Sequence, residues 1–352
     1  MGALSLLAFG LAAYLGLHPA LQATPGELAA QPAPAGLVDS FGVTWARLVS
    51  AAAFGISVGA ATVVCRRLFH SDVTAYLAGA LVLLDPGFLT LGRLALPDAI
   101  AVAGILAALA FFLSDAPWAH WAGSVALGVA VAADPRTLIW GVPLALLALL
   151  RGHIYAAPRH LGLAGLQGLA LPALAAGLHL LAMEGQLRGV ICQPGSDSAL
   201  GLATSIDYGG IIAIHNPVTW FGGLGAILFL AAESLSTVAR QFRLARLPGR
   251  LQMRLGVPLQ PMQARILWLL LLVLLIPFPG ALLPLLAIAL AAGIGNLADD
   301  APGFGLAVAL VVLLFAVLAL ARAWPLVAGT ASPDTVQDLL GMVPWTRTVA
   351  CA

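Results

Sequence analysis

An all-α bundle embedded in lipid is the fold class the sequence predicts, and three observations carry it. Of 352 residues, 61% are hydrophobic and 9% charged, and mean hydropathy is +1.01; no single water-soluble core hides that much apolar surface. The apolar residues come in runs near the length a helix needs to cross about 30 Å of hydrocarbon. Clusters of arginine follow alternate runs, the mark of a chain that crosses the membrane repeatedly. The expectation is a polytopic integral membrane helical bundle of about eleven transmembrane helices.

The runs fall near 3–17, 44–65, 73–91, 97–114, 119–133, 137–150, 161–183, 217–239, 266–279, 281–297 and 304–324. The first has neither a positive flank nor a clear small-residue cleavage site, which favours a retained helix over a signal peptide. The runs 119–133 and 137–150 are too short to cross as straight helices, and Ala133-Asp134-Pro135-Arg136 between them marks a polar turn. Arg66 and Arg67 follow the second run, Arg151 and Arg159 the sixth, and six arginines from Arg240 to Arg265 the eighth. Under the positive-inside rule these turns face the cytoplasm. The chain therefore reads as a transmembrane domain, 1–324, with outer loops at 18–43 and 184–216, a cytoplasmic loop at 240–264, and an outer tail, 325–352. That places it in the inner (plasma) membrane as a multi-pass protein, N-terminus cytoplasmic and C-terminus external. The loop 240–264 either grips anionic lipid as an interfacial helix or is only a positive-inside anchor; its prolines and glycines interrupt the helical period and favour the anchor.

Composition excludes several function classes. A net charge of +1 without a basic tract gives nucleic acid no concentrated face to bind. All sixteen basic residues are arginine, which removes amine-nucleophile chemistry. Three widely spaced cysteines make neither a zinc site nor a redox pair; Cys192 and Cys351 share the outer side and can pair there, whereas Cys65 cannot join them. No metal or cofactor is called for. His179 reads as a packed core histidine, Glu233 as an interfacial residue, and Asp299-Asp300 as a solvated cytoplasmic turn.

The polar exception is the stretch DPGFLTLGRLALPDAI, 85–100, which sets Asp85, Arg93 and Asp98 at a junction of two apolar runs. A charge facing lipid costs roughly 2.5–3.5 kcal/mol on insertion scales, so these side chains should point into the bundle or its outer vestibule. Pro86, Gly87 and Pro97 break the helices there. Two readings stand: an ion pair that fixes the hairpin, or an anion site in which Arg93 grips a phosphate.

Residues 41–112 resemble the early helices of the dolichyl-phosphate-mannose protein O-mannosyltransferases, bacterial ones in particular. The matching order is Trp45-x-Arg47, Arg66-Arg67-Leu68-Phe69, Leu84-Asp85, then Arg93-x-Ala-Leu-x-Asp98. HNPVTWFGG, 215–223, is similar to the family's Gly-Asn-Pro-x-x-Trp segment, and WPLVAG and GMVPWTR to its closing outer tail. The resemblance implies a C-type membrane glycosyltransferase fold, a polyprenyl-phosphate mannose donor and Ser or Thr acceptors on secreted proteins. It also implies a phosphate- and lipid-binding set of Arg93, Asp98, Asp85, Arg136, His215 and Asn216, with Arg136 the candidate to replace a family lysine.

The departures are as specific. The family's first outer loop carries an Asp-Glu pair that supplies the catalytic carboxylate; here the loop is LHPALQATPGELAAQPAPAGLVDS, in which Glu27 and Asp39 are the only acids and neither stands at the family position. IPFPGALLP, 276–284, lacks the arginine expected there. A transferase with a lipid-phosphate donor needs a base for the acceptor hydroxyl and cations for the departing phosphate. The expectation is a mannosyltransferase-like protein, catalytically degenerate and serving as a lipid-binding or structural subunit of a membrane complex. The alternative is an active divergent transferase with Asp39 or Glu27 as the base. A transporter is the weakest reading, because no internal repeat is visible.

Overall fold

The computed structural model describes residues 2–17, 37–94, 97–114, 116–133, 137, 140–141, 144, 216–229 and 279–328. Among them every regular element is helical. In chain order these are α1 (Gly2–Gly16), α2 (Leu37–Phe69), α3 (Asp72–Leu83), α4 (Pro86–Arg93), α5 (Pro97–Phe112), α6 (Pro117–Ala133), α7 (Pro217–Phe229), α8 (Pro279–Asp300), α9 (Pro302–Arg322) and α10 (Trp324–Ala328). They coincide with the predicted runs from 3–17 to 119–133, the start of 217–239, and 281–297 and 304–324. The run 161–183, the run 266–279 but for its last residue, and most of 137–150 lie outside the described residues.

Proline sets the boundaries. Each helix from α4 to α9 begins on one, where the missing N–H would have had no partner and φ is already helical. In so apolar a chain this punctuation does the work that hydrophobic periodicity does elsewhere.

Among the described residues, three helices are long and apolar enough to cross a membrane: Gly42–Phe69, Leu283–Asp300 and Pro302–Arg322. The run 73–91, read from sequence as one span, is α3 and α4 bent by 65° at Leu84-Asp85. Five helical residues, 37–41, fall within the segment 18–43 and join the long part of α2 at Gly42. Gly42, with φ 77 and ψ 161, kinks α2 after its first five residues, a conformation open to glycine at little cost.

Small residues bring the helices together. Gly55 and Gly59, one turn apart on α2, face Ser5 of α1; a Cβ at Gly55 would lie 2.8 Å from the Ser5 carbonyl oxygen, and one at Gly59 3.1 Å from its hydroxyl. Ser5 Oγ donates to the Gly55 carbonyl at 2.7 Å, so close packing and an interhelical hydrogen bond reinforce each other, as they must where lipid offers no hydrophobic drive between helices. α8 is buried continuously from Leu283 to Ala292. α9 instead exposes Phe304, Leu310, Leu314 and Leu318, an outward face with the polarity of hydrocarbon.

The described helices share two ends. At one, Arg66 pairs with Asp72 at 2.7 Å, Arg67 donates to the Ala110 carbonyl at the end of α5, and Gly295 of α8 packs on Thr74. Asp299 and Asp300 are exposed there, in keeping with a solvated turn. His70 closes α2 with φ 57 and its N–H on the Arg66 carbonyl at 2.8 Å, and Ser71 caps α3 by accepting from the Thr74 N–H; the reversal thus needs two residues. At the other end, Gly16 meets Arg93 and α10 packs against α4.

Candidate functional site

The site is built on the break between α3 and α4. Asp85 adopts an extended backbone, ψ 118, and its Oδ1 accepts from the Phe88 N–H at 2.8 Å, capping α4. Pro86 occupies the first turn. All eight residues of α4 are buried; Phe88 stacks on Phe54 of α2 with centroids 5.6 Å apart, and Thr90 Oγ1 donates to the Pro86 carbonyl at 2.7 Å. This short helix is held on every side.

The second oxygen of Asp85 reaches across the sequence. Oδ2 accepts from the main-chain N–H of Asn216 at 3.0 Å, 131 positions away. Asn216 in turn caps α7: its Oδ1 accepts from the Val218 N–H at 3.0 Å, its Nδ2 donates to Thr219 Oγ1 at 2.9 Å, and its carbonyl accepts from the Trp220 N–H at 3.2 Å. Asp85, Asn216 and Thr219 are all 0% exposed. The Asn-Pro of HNPVTW is therefore a cap followed by a first-turn proline.

At the far end of α4 stands Arg93, 1% exposed. The residue stands in the last turn, where a cation is favoured by the helix dipole. A Cβ at Gly16 would come within 2.8 Å of the Arg93 carbonyl oxygen, so only glycine lets α1 end so close to α4. Arg47 of α2, 5% exposed, donates from Nη1 to the Gly16 carbonyl at 3.2 Å. The Arg47 guanidinium and the Arg93 main chain thus both meet the end of α1. Cations inside an apolar bundle mark a functional region by default, because hydrocarbon gives them no solvation.

Of the residues singled out from the sequence, Asp85 and Asn216 are joined directly, and Arg93 sits on the same short helix as the Asp85 cap. Asp98 falls in the first turn of α5 and Asp39 in the first turn of α2. Glu27, Arg136 and His215 lie outside the described residues, as do His179, Glu233, Cys192 and Cys351. Cys65 is buried with a free thiol, its Sγ on the Thr74 carbonyl at 3.6 Å. Arg47 and Thr219 were not singled out. Arg47 entered only as part of a Trp-x-Arg pattern, although one arginine within a long apolar run was itself the signal. Among the described residues no group of three or more His, Cys, Asp and Glu side chains gathers as metal ligands do.

These features define a helical protein with membrane-spanning elements and a buried cationic centre near one end of the bundle. Residues 14–133, about a third of the chain, match the family model described as dolichyl-phosphate-mannose-protein mannosyltransferase. The resemblance read from 41–112 holds over that larger segment, which contains Arg47, Asp85, Arg93 and Asp98. Among solved structures, the Archaeoglobus fulgidus oligosaccharyltransferase, in a complex with Zn and sulfate, aligns with 99% of this chain at 13% identity and a TM-score of 0.46. The chain spans 55% of that protein's length. No curated protein matches the chain.

Proposed function

We propose that this is a mannosyltransferase-like protein of the plasma membrane that binds the phosphate of a polyprenyl-phosphate sugar, on a C-type glycosyltransferase bundle. Its cationic end faces outward, its N-terminus is cytoplasmic and its C-terminal tail external. The observation that carries this reading is a pair of buried arginines, Arg47 and Arg93, in the segment that matches the mannosyltransferase family, with the Arg47 guanidinium on the Gly16 carbonyl and the Arg93 main chain packed against Gly16. A planar, always-charged fork suits phosphate oxygens and stays charged in a dry site. Arg136, His215, Asn216 and Asp98 complete the donor site as the resemblance implies, and Asp85 acts on it through Asn216.

The missing acidic pair in the first outer loop argues that the protein is catalytically degenerate and serves a membrane complex as a lipid-binding or structural subunit. Without a base for the acceptor hydroxyl, a factor of about 10²–10⁴ in rate is lost. One observation favours an active transferase instead: Asp39 stands on a helical turn, 37–41, that leads directly into the kink of α2.

Binding of a polyprenyl phosphate to the purified protein in lipid nanodiscs tests the donor site. Arg93→Lys keeps the charge and loses the fork, and should weaken binding about tenfold; equal affinity in Arg93→Lys and Arg93→Gln would refute the assignment. The same preparation should transfer no mannose from polyprenyl-phosphate mannose to a Ser/Thr peptide. Robust transfer that Asp39→Asn abolishes would establish the active reading.

A further inference from the structure

We infer that Asp85 is a positioning residue: its carboxylate braces the break between α3 and α4 against the head of α7, and so fixes where the 216–220 turn stands relative to Arg93. The inference rests on the donor-site reading above and names the residue that sets that site's shape.

Capping alone does not explain the residue. At the start of α3 a serine suffices, since Ser71 offers one oxygen to the Thr74 N–H; α9 follows Ala301 with no side-chain cap at all. A carboxylate deep in an apolar bundle is a costly choice where one hydroxyl would cap the helix. What it adds is a second acceptor, and that acceptor is used over a separation of 131 residues.

The bond also lands where it has consequences. Asn216 is held at its N–H by Asp85 while its side chain organises the Val218 N–H and the Thr219 hydroxyl. One continuous network therefore runs from the Phe88 N–H of α4, through Asp85 and Asn216, into the first turn of α7. The α4 end of that network is immobilised by burial of the whole helix, and Arg93 closes the same helix two turns later. Moving the head of α7 therefore means breaking the Asp85 contact first.

Asp85→Ser separates the two roles. Serine is a good cap for α4, but it has one oxygen and cannot also serve Asn216; Asp85→Ala removes both contacts. Hydrogen exchange of the full chain in nanodiscs reads the amides directly. Residues 216–222 should exchange about tenfold faster in both variants, while the Phe88 amide stays protected in Asp85→Ser and loses protection only in Asp85→Ala. Affinity for the polyprenyl phosphate should fall about tenfold in Asp85→Ser. Should Asp85→Ala fail to fold, Asp85→Ser decides alone. Wild-type exchange at 216–222 in Asp85→Ser would overturn the brace. Faster exchange there with unchanged affinity would overturn its link to the donor site. A wild-type protein that binds no polyprenyl phosphate would remove the donor-site reading, and the exchange result would still decide the brace.

Discussion

Asn216 spends every polar atom of its side chain on the first turn of α7, and that sets what its loss should do. Asn216→Ala should cost about 1–2 kcal/mol, the range for removing a well-made cap, read as a lower thermal midpoint in nanodiscs. Asn216→Asp should lose at least as much, because it sets a second carboxylate in a fully buried site beside Asp85. Residues of this kind were legible to different degrees. Asp85 and Arg93 stand out in any apolar run because charge is expensive there. The bond from Asp85 to residue 216 was not legible, since no spacing rule links positions 131 apart.

Helix pairs show what small residues accomplish in a chain with little polar surface. Gly55→Leu places side-chain carbon where the Ser5 carbonyl already lies, so α1 and α2 must move apart; a loss of about 1–3 kcal/mol is expected for such overpacking. Ser5→Ala removes only one interhelical hydrogen bond and should cost about 0.6 kcal/mol. Thermal unfolding of the two variants side by side checks the ranking, and a Ser5→Ala midpoint lower than that of Gly55→Leu would contradict it. Asp72→Asn should change stability by less than about 1 kcal/mol, because the Arg66–Asp72 pair is largely exposed. Most element positions were readable because prolines and arginines punctuate the hydrocarbon. The bend at Leu84-Asp85 was not, since α3 and α4 are both apolar and a hydropathy window runs straight across them. The early start of α2 was missed for the opposite reason: LVDSF carries polar residues and resembles a loop.

Sidedness belongs to the whole molecule. Aromatic side chains mark both ends of the described bundle: Tyr14, Trp45 and Trp324 near the Gly16–Arg93 contact, and Trp118 and Trp121 near the Arg67–Ala110 contact, all exposed. Such rings settle at the head-group level on either side of a membrane, so they bracket a slab without saying which face is cytoplasmic. Under the proposed topology the positive-inside rule makes the Arg66–Arg67 end the cytoplasmic one. Arg66 and Arg67 share an end with Asp299, Asp300 and Ala301, whereas Pro325 lies beyond α9, a helix of 21 residues that is about 31 Å long and matches the hydrocarbon thickness. Cysteines placed at Ala301 and Pro325, both exposed, should therefore report opposite faces. With Cys192 and Cys351 changed to serine and buried Cys65 retained, an impermeant maleimide applied to intact cells stripped of any outer barrier should label Pro325→Cys at once and Ala301→Cys only after permeabilisation. Labelling of both from outside would mean that α9 does not cross. The reverse pattern would put the Arg47–Arg93 centre on the cytoplasmic face, where the proposed outward donor site could not stand.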